Sequence, residues 1–214
     1  GSNRMTTSTR LTDLTVYDDR TVTDDLGVGG DNNVTGTVTS AGGFIGDLAP
    51  AVETAEHGAG LIGTAAAPVT RRWTEAGVII TQFKIDLTGL ASVATANDVI
   101  GLAAGGIAFI RQYKTAIDGI IFKAELSCIE TPVGGDNDVN VVAAASGTLA
   151  YNGAGGTTYG INGGDAVAGQ TIQNLVQGLT ADHYFYLTAG TGDTAAAYTA
   201  GQFIFTTWGH ALLT

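Results

Sequence analysis

The amino-acid sequence predicts an all-β protein: a β-sandwich of jelly-roll type with one short helix and an extended N-terminal arm. Three observations support this prediction. The chain of 214 residues contains 32 Gly, 31 Ala and 31 Thr, a composition typical of close-packed, turn-rich β structure. Six segments have the composition and alternation of strands, and turn residues separate them at short spacing. Only one segment has the apolar periodicity of a helix.

The predicted strands occupy residues 78–87, 105–114, 120–131, 138–145, 183–188 and 202–208. The clearest is 78–87, in which Thr81, Phe83 and Ile85 share one face while Gln82 and Lys84 occupy the other. Asp118-Gly119 is a hairpin-type turn signal that leads into 120–131. The predicted inward face of that strand consists of Ile120, Phe122, Ala124, Leu126 and Cys128.

One helix is predicted over residues 165–179. Ile172, Leu175, Val176 and Leu179 fall on one face at helical spacing, and Asp165 is a candidate N-cap. The preceding residues, 146–164, are rich in Gly and have no clear periodicity. They predict a long loop.

The first 60 residues differ in composition from the rest, with many Thr and Gly and the acidic pairs Asp18-Asp19 and Asp24-Asp25. Gly1 to Arg4, ahead of Met5, resemble the remnant of a tag, and no signal-peptide pattern follows. We therefore predict a tag remnant and extended arm over 1–60 and a β-sandwich domain over 61–214. Two alternatives remain for the arm: a flexible segment with a strand or two, or a segment that orders only against a neighbouring subunit.

The charge pattern limits the classes of partner. The net charge is −11, and the longest basic run is Arg71-Arg72, so neither nucleic acid nor an anionic membrane surface is an expected partner. Charged residues make up 14% of the chain, against about 25% in ordinary soluble domains. Such a weakly charged surface favours a homo-oligomer, in which identical subunits cover one another.

The single cysteine, Cys128, cannot form an internal disulfide, which fits synthesis in a reducing cytoplasm.

The sequence offers no strong candidate for catalysis or for a cofactor. His57 lies in a Gly-rich stretch, and His183 and His210 flank late strands without the ligand spacing of a zinc site. The turn Asp136-Asn137-Asp138 supplies oxygen ligands of the kind that Ca²⁺ prefers, yet it lacks the twelve-residue EF-hand pattern, and Asp and Asn are common in turns anyway. We predict no enzymatic activity, no catalytic residue, no metal site and no cofactor.

Two sets of residues are candidates for contact with other molecules. The first set, Tyr184, Tyr186, Ile204 and Trp208, gives the last two strands a second apolar face. That pattern predicts either a fully buried central strand or a subunit interface. The second set, Tyr151, Asn152, Tyr159 and Asn162, lies in the Gly-rich loop. It would form the ligand site if the protein were instead a carbohydrate-binding or host-surface-binding module.

Residues 60–214 resemble small virion proteins of tailed bacteriophages, of the capsid-decorating or accessory type. The resemblance rests on the composition and on three short segments, 85–90 (IDLTGL), 128–132 (CIETP) and 198–204 (YTAGQFI). It implies a structural virion protein, made in the host cytoplasm, that self-associates, with a trimer favoured. It also implies a major capsid or other virion protein as partner, and it supplies no catalytic residues.

Overall fold

A computed structural model describes residues 51–53, 57–64, 67–156, 161, 164–175 and 179–211 of the chain. All of these residues belong to one compact unit, 47–214. The predicted arm therefore lies outside the described residues as far as residue 50. The predicted boundary at residue 60 stays a prediction.

Strands dominate the described part of the chain. In chain order the elements are β1 (Ala51–Glu53), β2 (Val69–Glu75), β3 (Val78–Asp86), β4 (Phe109–Gln112), α1 (Thr115–Asp118), β5 (Ile120–Val133), β6 (Val139–Ala144), β7 (Thr171–Leu175), β8 (Tyr184–Ala189) and β9 (Ala200–His210). A single 3-10 turn covers Ala59–Leu61. Within the described residues, no helix is long and apolar enough to cross a membrane.

The strands form two antiparallel sheets. The larger sheet has the order β1-β2-β3-β9-β5-β7, and the smaller has the order β4-β8-β6. The predicted all-β sandwich is thus confirmed. The jelly-roll topology is not confirmed, because that fold pairs eight strands in two Greek keys, whereas these sheets have six and three strands.

Several predicted strands match the observed ones to within a few residues. β3 and β6 follow the predicted segments 78–87 and 138–145 closely, while β4 is shorter than its predicted 105–114. A two-residue turn, Ala76-Gly77, joins β2 to β3, and both residues have positive φ. This is the backbone geometry that matches the twist of a tight hairpin, and it places β2 beside β3 in a fixed register.

The hydrophobic core lies between the two sheets. Phe203 and Phe205 on β9 are inaccessible to solvent, and so are the inward residues of β3 beside them. The ring of Phe205 stacks on Phe83 of the same sheet at 5.8 Å and meets the edge of Phe185 from the smaller sheet at 5.2 Å. These contacts join the sheets through one continuous apolar cluster.

The predicted helix over 165–179 is wrong, because part of that segment forms the edge strand β7. The chain turns at Gly169, which has a φ of 89°. The N–H of Gly169 donates to the carbonyl of Cys128 at 2.8 Å, and the N–H of Cys128 donates to the carbonyl of Gln170 at 2.8 Å. The edge of β5 thus supplies backbone partners that the helical pattern of Ile172 and its neighbours does not reveal, and tertiary pairing overrides local periodicity.

The predicted hairpin turn at Asp118-Gly119 is also wrong. β4 belongs to the smaller sheet and β5 to the larger one, so the chain crosses between sheets at this point. Helix α1 and Gly119, with a φ of 66°, make the crossing. The buried carboxylate of Asp118 stabilises it by accepting the N–H of Lys114 at 2.9 Å and pairing with Arg72 at 3.4 Å.

The inward face of β5 differs from the prediction at its first residues. The strand register shifts between Ile121 and Lys123, so that Ile121 is buried whereas Ile120 is 54% exposed. From Ala124 to Cys128 the predicted alternation is confirmed, and Leu126 lies in the core between them. The β-bulge accounts for the change, because one extra residue reverses the side to which the following side chains point.

Phe205→Ala is expected to lower the free energy of unfolding by about 3–5 kcal/mol, because it leaves a cavity at the contact between the sheets. The measurement is equilibrium unfolding in urea. Ile204→Ala is the matched control: Ile204 is the adjacent β9 residue and points away from the core, so its loss is about 1 kcal/mol. Equal losses for the two variants would contradict this placement of the core.

Candidate functional site

The two described members of the predicted loop site are neighbours in one turn. Asn152 is exposed with a φ of 65°, and its N–H donates to the carbonyl of Val99 at 3.1 Å. Tyr151 is half-buried, and its hydroxyl donates to the carbonyl of Ser92 at 3.5 Å. Tyr159 and Asn162 lie outside the described residues. Ligand binding by this loop therefore stays a prediction.

The two predicted interface tyrosines lie on β8, the central strand of the smaller sheet. Tyr186 is inaccessible to solvent within the chain, where its hydroxyl donates to the carbonyl of Ser146 at 2.7 Å. Burial raises the pKa of Tyr186 to about 12. Tyr184 is half-buried and packs on Phe109 at 5.1 Å between ring centres. The two predicted alternatives were a buried central strand and a subunit interface. β8 is a buried central strand at Tyr186, whose side chain has no exposed surface for contact with a partner.

A second, smaller cluster explains this burial. Val99, Ala108 and Val142 enclose the Tyr186 side chain, and Leu149 packs against them. The N–H of Leu149 also donates to the Tyr186 hydroxyl at 3.4 Å. The connections before β4 and after β6 therefore cover the face of the smaller sheet that is turned away from the core.

The other two predicted interface residues, Ile204 and Trp208, lie on β9 in the larger sheet, so the last two strands are not a pair. Both are half-buried and sit on the face opposite Phe205. Trp208 is directly opposite Ile80 of β3, which in turn is opposite Trp73 of β2. These residues form an apolar row across three strands.

We call this surface the outer face and define it by Trp73, Ile80, Lys123, Ile204 and Trp208. The ammonium group of Lys123 lies 4.0 Å from the centre of the Trp208 ring, a cation–π contact. Lys123 also pairs with Glu125 at 3.4 Å. The ammonium group thus covers part of one face of the Trp208 ring.

Trp73, Ile80 and Lys123 belong to this surface but are not among the predicted interface residues. A usable signal was present in the tight turn at Ala76-Gly77. Counting back from a two-residue hairpin pairs Glu75 with Val78 and therefore Trp73 with Ile80. The neighbours of Trp208, in contrast, depend on which strands flank β9, and no local pattern reveals that order.

The histidines occupy separate parts of the molecule. His210 is exposed at the end of β9 and stacks on Phe122 at 4.3 Å. His57 precedes the 3-10 turn, and His183 precedes β8, in the other sheet from His210. Within the described part of the chain, no three His, Cys, Asp or Glu side chains are grouped so that they hold one metal ion directly.

Comparisons with protein-family models, with curated proteins and with solved structures find no match. Function therefore has to be inferred from the residues of this chain and their geometry. An antiparallel sheet with one face on the core usually presents polar residues on the other. The outer face departs from that pattern because two tryptophans and two isoleucines lie on it. It is the strongest candidate for a functional surface.

Cys128 is expected to resist thiol reagents in the folded protein. It is 3% exposed, its thiol donates to the carbonyl of Glu130 at 3.2 Å, and burial raises its pKa, so the reactive thiolate is scarce and enclosed. Reaction with a chromogenic disulfide reagent is expected to be at least about 100-fold slower in native buffer than in guanidinium. Equal rates in the two solvents would show that β5 is open at this position.

Proposed function

We propose that this protein is a structural virion protein that self-associates and binds the phage capsid, which it stabilises or decorates. The observation that carries the proposal is the outer face, an apolar row on the side of the larger sheet away from the core. A homotrimer is the favoured assembly. An apolar surface of this kind functions by packing against a partner, and that contact needs no catalytic group.

The side chains of the outer face suit a protein–protein contact. Tryptophan is enriched among the residues that dominate binding energy, because it buries a large area at small conformational cost. The half-buried Trp73 and Trp208 each have area left to bury. Ile204 lies on the same side of β9, between Lys84 of β3 and Ser127 of β5, and adds apolar area to this face.

Charged side chains of both signs border the outer face. Arg71, Lys84 and Glu75 are exposed on it, and Asp86 and Glu125 lie on the same side of β3 and β5. A border of mixed charge is complementary to a second copy of the same surface, because each sign can meet its opposite there.

The choice of a virion as the setting rests on the sequence resemblance described above. The residues that carry it include β9 residues 200–204, among them the outer-face residue Ile204. The sandwich fold is compatible with the resemblance. The N-terminal arm, if it orders only against a neighbour, would add a second contact to the same assembly.

The double variant Trp73→Gln/Ile204→Gln is expected to weaken self-association by about 10-fold or more in dissociation constant, because both substitutions remove apolar area from the outer face. Light scattering coupled to gel filtration, over a range of micromolar concentrations, measures the change. Wild-type protein is expected to elute at a multiple of its 21.7 kDa chain mass.

Ile107→Gln is the matched control for this experiment. Ile107 is 38% exposed, but it lies in the connection before β4 and pairs with Ala150, away from the outer face. The control is expected to assemble as the wild type does. A wild-type protein that stays monomeric throughout the range would count against self-association. If the two variants self-associate with the same dissociation constant, the outer face is not the surface through which the chain assembles.

Immunogold electron microscopy tests the capsid assignment. An antibody against the chain is expected to label the heads of intact particles produced from a genome that carries this gene. Gold confined to tails would contradict binding to the capsid. Intact particles free of label, together with detection of the protein only in the lysate, would overturn the virion assignment itself.

A further inference from the structure

Strand β7 ends the larger sheet at an edge that no other described strand covers. It pairs with β5 on one side only. The exposed edge of a sheet is a template for pairing with another chain, and natural sheets usually protect it with charged residues or proline. The residues of β7, 171–175, include neither. β7 is therefore an unprotected edge strand.

The other three sheet edges in the described part of the chain are short or partly covered. β1 has three residues and ends in the acidic Glu53. Beside β4, the N–H of Gly58 donates to the carbonyl of Phe109 at 2.9 Å. Beside β6, Val141 and Ile161 exchange backbone hydrogen bonds of 3.1 and 2.7 Å. Among these edges, β7 has the longest uncovered run of backbone.

The direction of the backbone groups in β7 follows from the bulge before it. Gly169 and Gln170 both bond to Cys128, through the N–H of the first residue and the carbonyl of the second. Along an antiparallel pair, every second residue exchanges hydrogen bonds with the partner strand. The next residues that bond to β5 are therefore Ile172 and Asn174. The backbone groups directed away from β5 belong to the alternate residues of the strand: Thr171, Gln173 and Leu175.

The contact between Thr171 and Ser127 agrees with this assignment. Their hydroxyl oxygens are 3.0 Å apart, and the two residues are opposite each other in the pairing of β7 with β5. Side chains approach closely at the positions of an antiparallel pair that do not exchange hydrogen bonds. The backbone groups of Thr171 are consequently turned toward the open edge.

A second copy of β7 fits this edge when a two-fold axis passes beside Gln173. Antiparallel pairing about that axis places Gln173 opposite Gln173 of the other copy, and Thr171 opposite Leu175 in both directions. Every outward backbone group of the five-residue strand is then paired. An axis at Ile172 or Asn174 leaves some of these groups without a partner, so the hydrogen-bonding pattern of the strand selects one register.

The side chains at this edge are compatible with a second copy. Gln173 is exposed, and its amide both donates and accepts, so two glutamines can bond to each other across a two-fold axis. A charged residue at the same position would meet its own charge. The carboxylate of Glu125, which is opposite Gln173 on β5, is paired with Lys123 at 3.4 Å. Two chains of net charge −11 can therefore approach through β7 without opposing like charges on that strand.

We propose that two copies of the chain pair antiparallel through β7, about a two-fold axis beside Gln173, and join their larger sheets into one. The inference rests on the proposed self-association and adds to it a contact distinct from the outer face. Thr171 lies on the same side of the sheet as Ile204, since both are opposite Ser127. An axis perpendicular to the sheet keeps the two outer faces on one side, where a larger partner can contact both. Because a two-fold contact does not close a trimer, it links subunits of different trimers.

Cysteine cross-linking tests the register of this pair. Gln173→Cys places the two new thiols opposite each other, at a Cα separation of about 5.5 Å, which a disulfide spans. Thr171→Cys is the matched control: it is exposed on the same strand and side but lies about 13 Å along the strand from its own counterpart. In a glutathione redox buffer, disulfide-linked dimer is expected to form at least about 10-fold faster for Gln173→Cys, measured by non-reducing gel electrophoresis. Cys128 is buried and is present in both variants.

The outcomes separate this contact from the outer face. Equal cross-linking rates for the two cysteine variants, or no dimer from Gln173→Cys, overturn the proposal. Dimer that still forms in the Trp73→Gln/Ile204→Gln background supports pairing through β7 even if the outer face does not mediate assembly. A wild-type protein that is oligomeric by light scattering, with no dimer from Gln173→Cys, leaves self-association intact and overturns pairing through β7.

A proline substitution tests the role of the backbone. Gln173→Pro removes the outward N–H but none of the hydrogen bonds to β5, so the sheet is expected to stay folded, because edge strands accept proline where the N–H faces away from the ladder. Gln173→Ala is the matched control, since it removes the same side chain and keeps the N–H. In the Trp73→Gln/Ile204→Gln background, Gln173→Pro is expected to weaken dimer formation about 10-fold relative to Gln173→Ala, measured by sedimentation velocity. Equal dissociation constants for the two variants contradict a backbone contact at this edge.

Discussion

The contact of Phe205 with Phe185 is the interaction on which the two-layer structure depends. Each sheet has one strongly apolar side, and neither sheet can keep that side in water. Phe205 lies on one of the two middle strands of the larger sheet, and Phe185 lies on the central strand of the smaller one. Their contact therefore joins the sheets at the middle of both, and the burial of Phe83 and Leu187 beside them follows from it.

The two sheets differ in how far their sides away from the core are covered by other parts of the chain. Chain connections cover the outer side of the smaller sheet and enclose Tyr186. On the larger sheet, the outer face keeps Trp73 and Trp208 half-buried, with Lys123 packed over the second indole. The loop that contains Asp136 contacts the loop that contains Gly192, because β6 and β8 are neighbours. One packing arrangement thus leaves apolar residues on the outer face and brings these two loops together.

Strands were predictable from the sequence where apolar and polar residues alternate along them. They were not predictable where pairing with another strand determines the local structure. β3 and the middle of β5 were predictable because Phe83, Leu126 and their neighbours alternate with polar residues along the chain. β7 was not, since Ile172 and Leu179 also fit a helix and only the open edge of β5 resolves that ambiguity. The same reason explains Ile120, whose exposure depends on a bulge opposite the end of β9.

Local features of the chain are sufficient to predict its all-β class: small and β-branched residues, frequent turns and short alternating segments all favour strands. They also place Cys128 in the core and Ile204 and Trp208 away from Phe205, because alternation within a strand is a local property. Which strands are neighbours, in contrast, depends on tertiary contacts. Strand order therefore decided that Tyr186 is enclosed, that Trp73 joins Trp208 in one row, and that β7 lies at an edge of the larger sheet. Those arrangements depend on contacts between residues far apart in the chain, which no local pattern encodes.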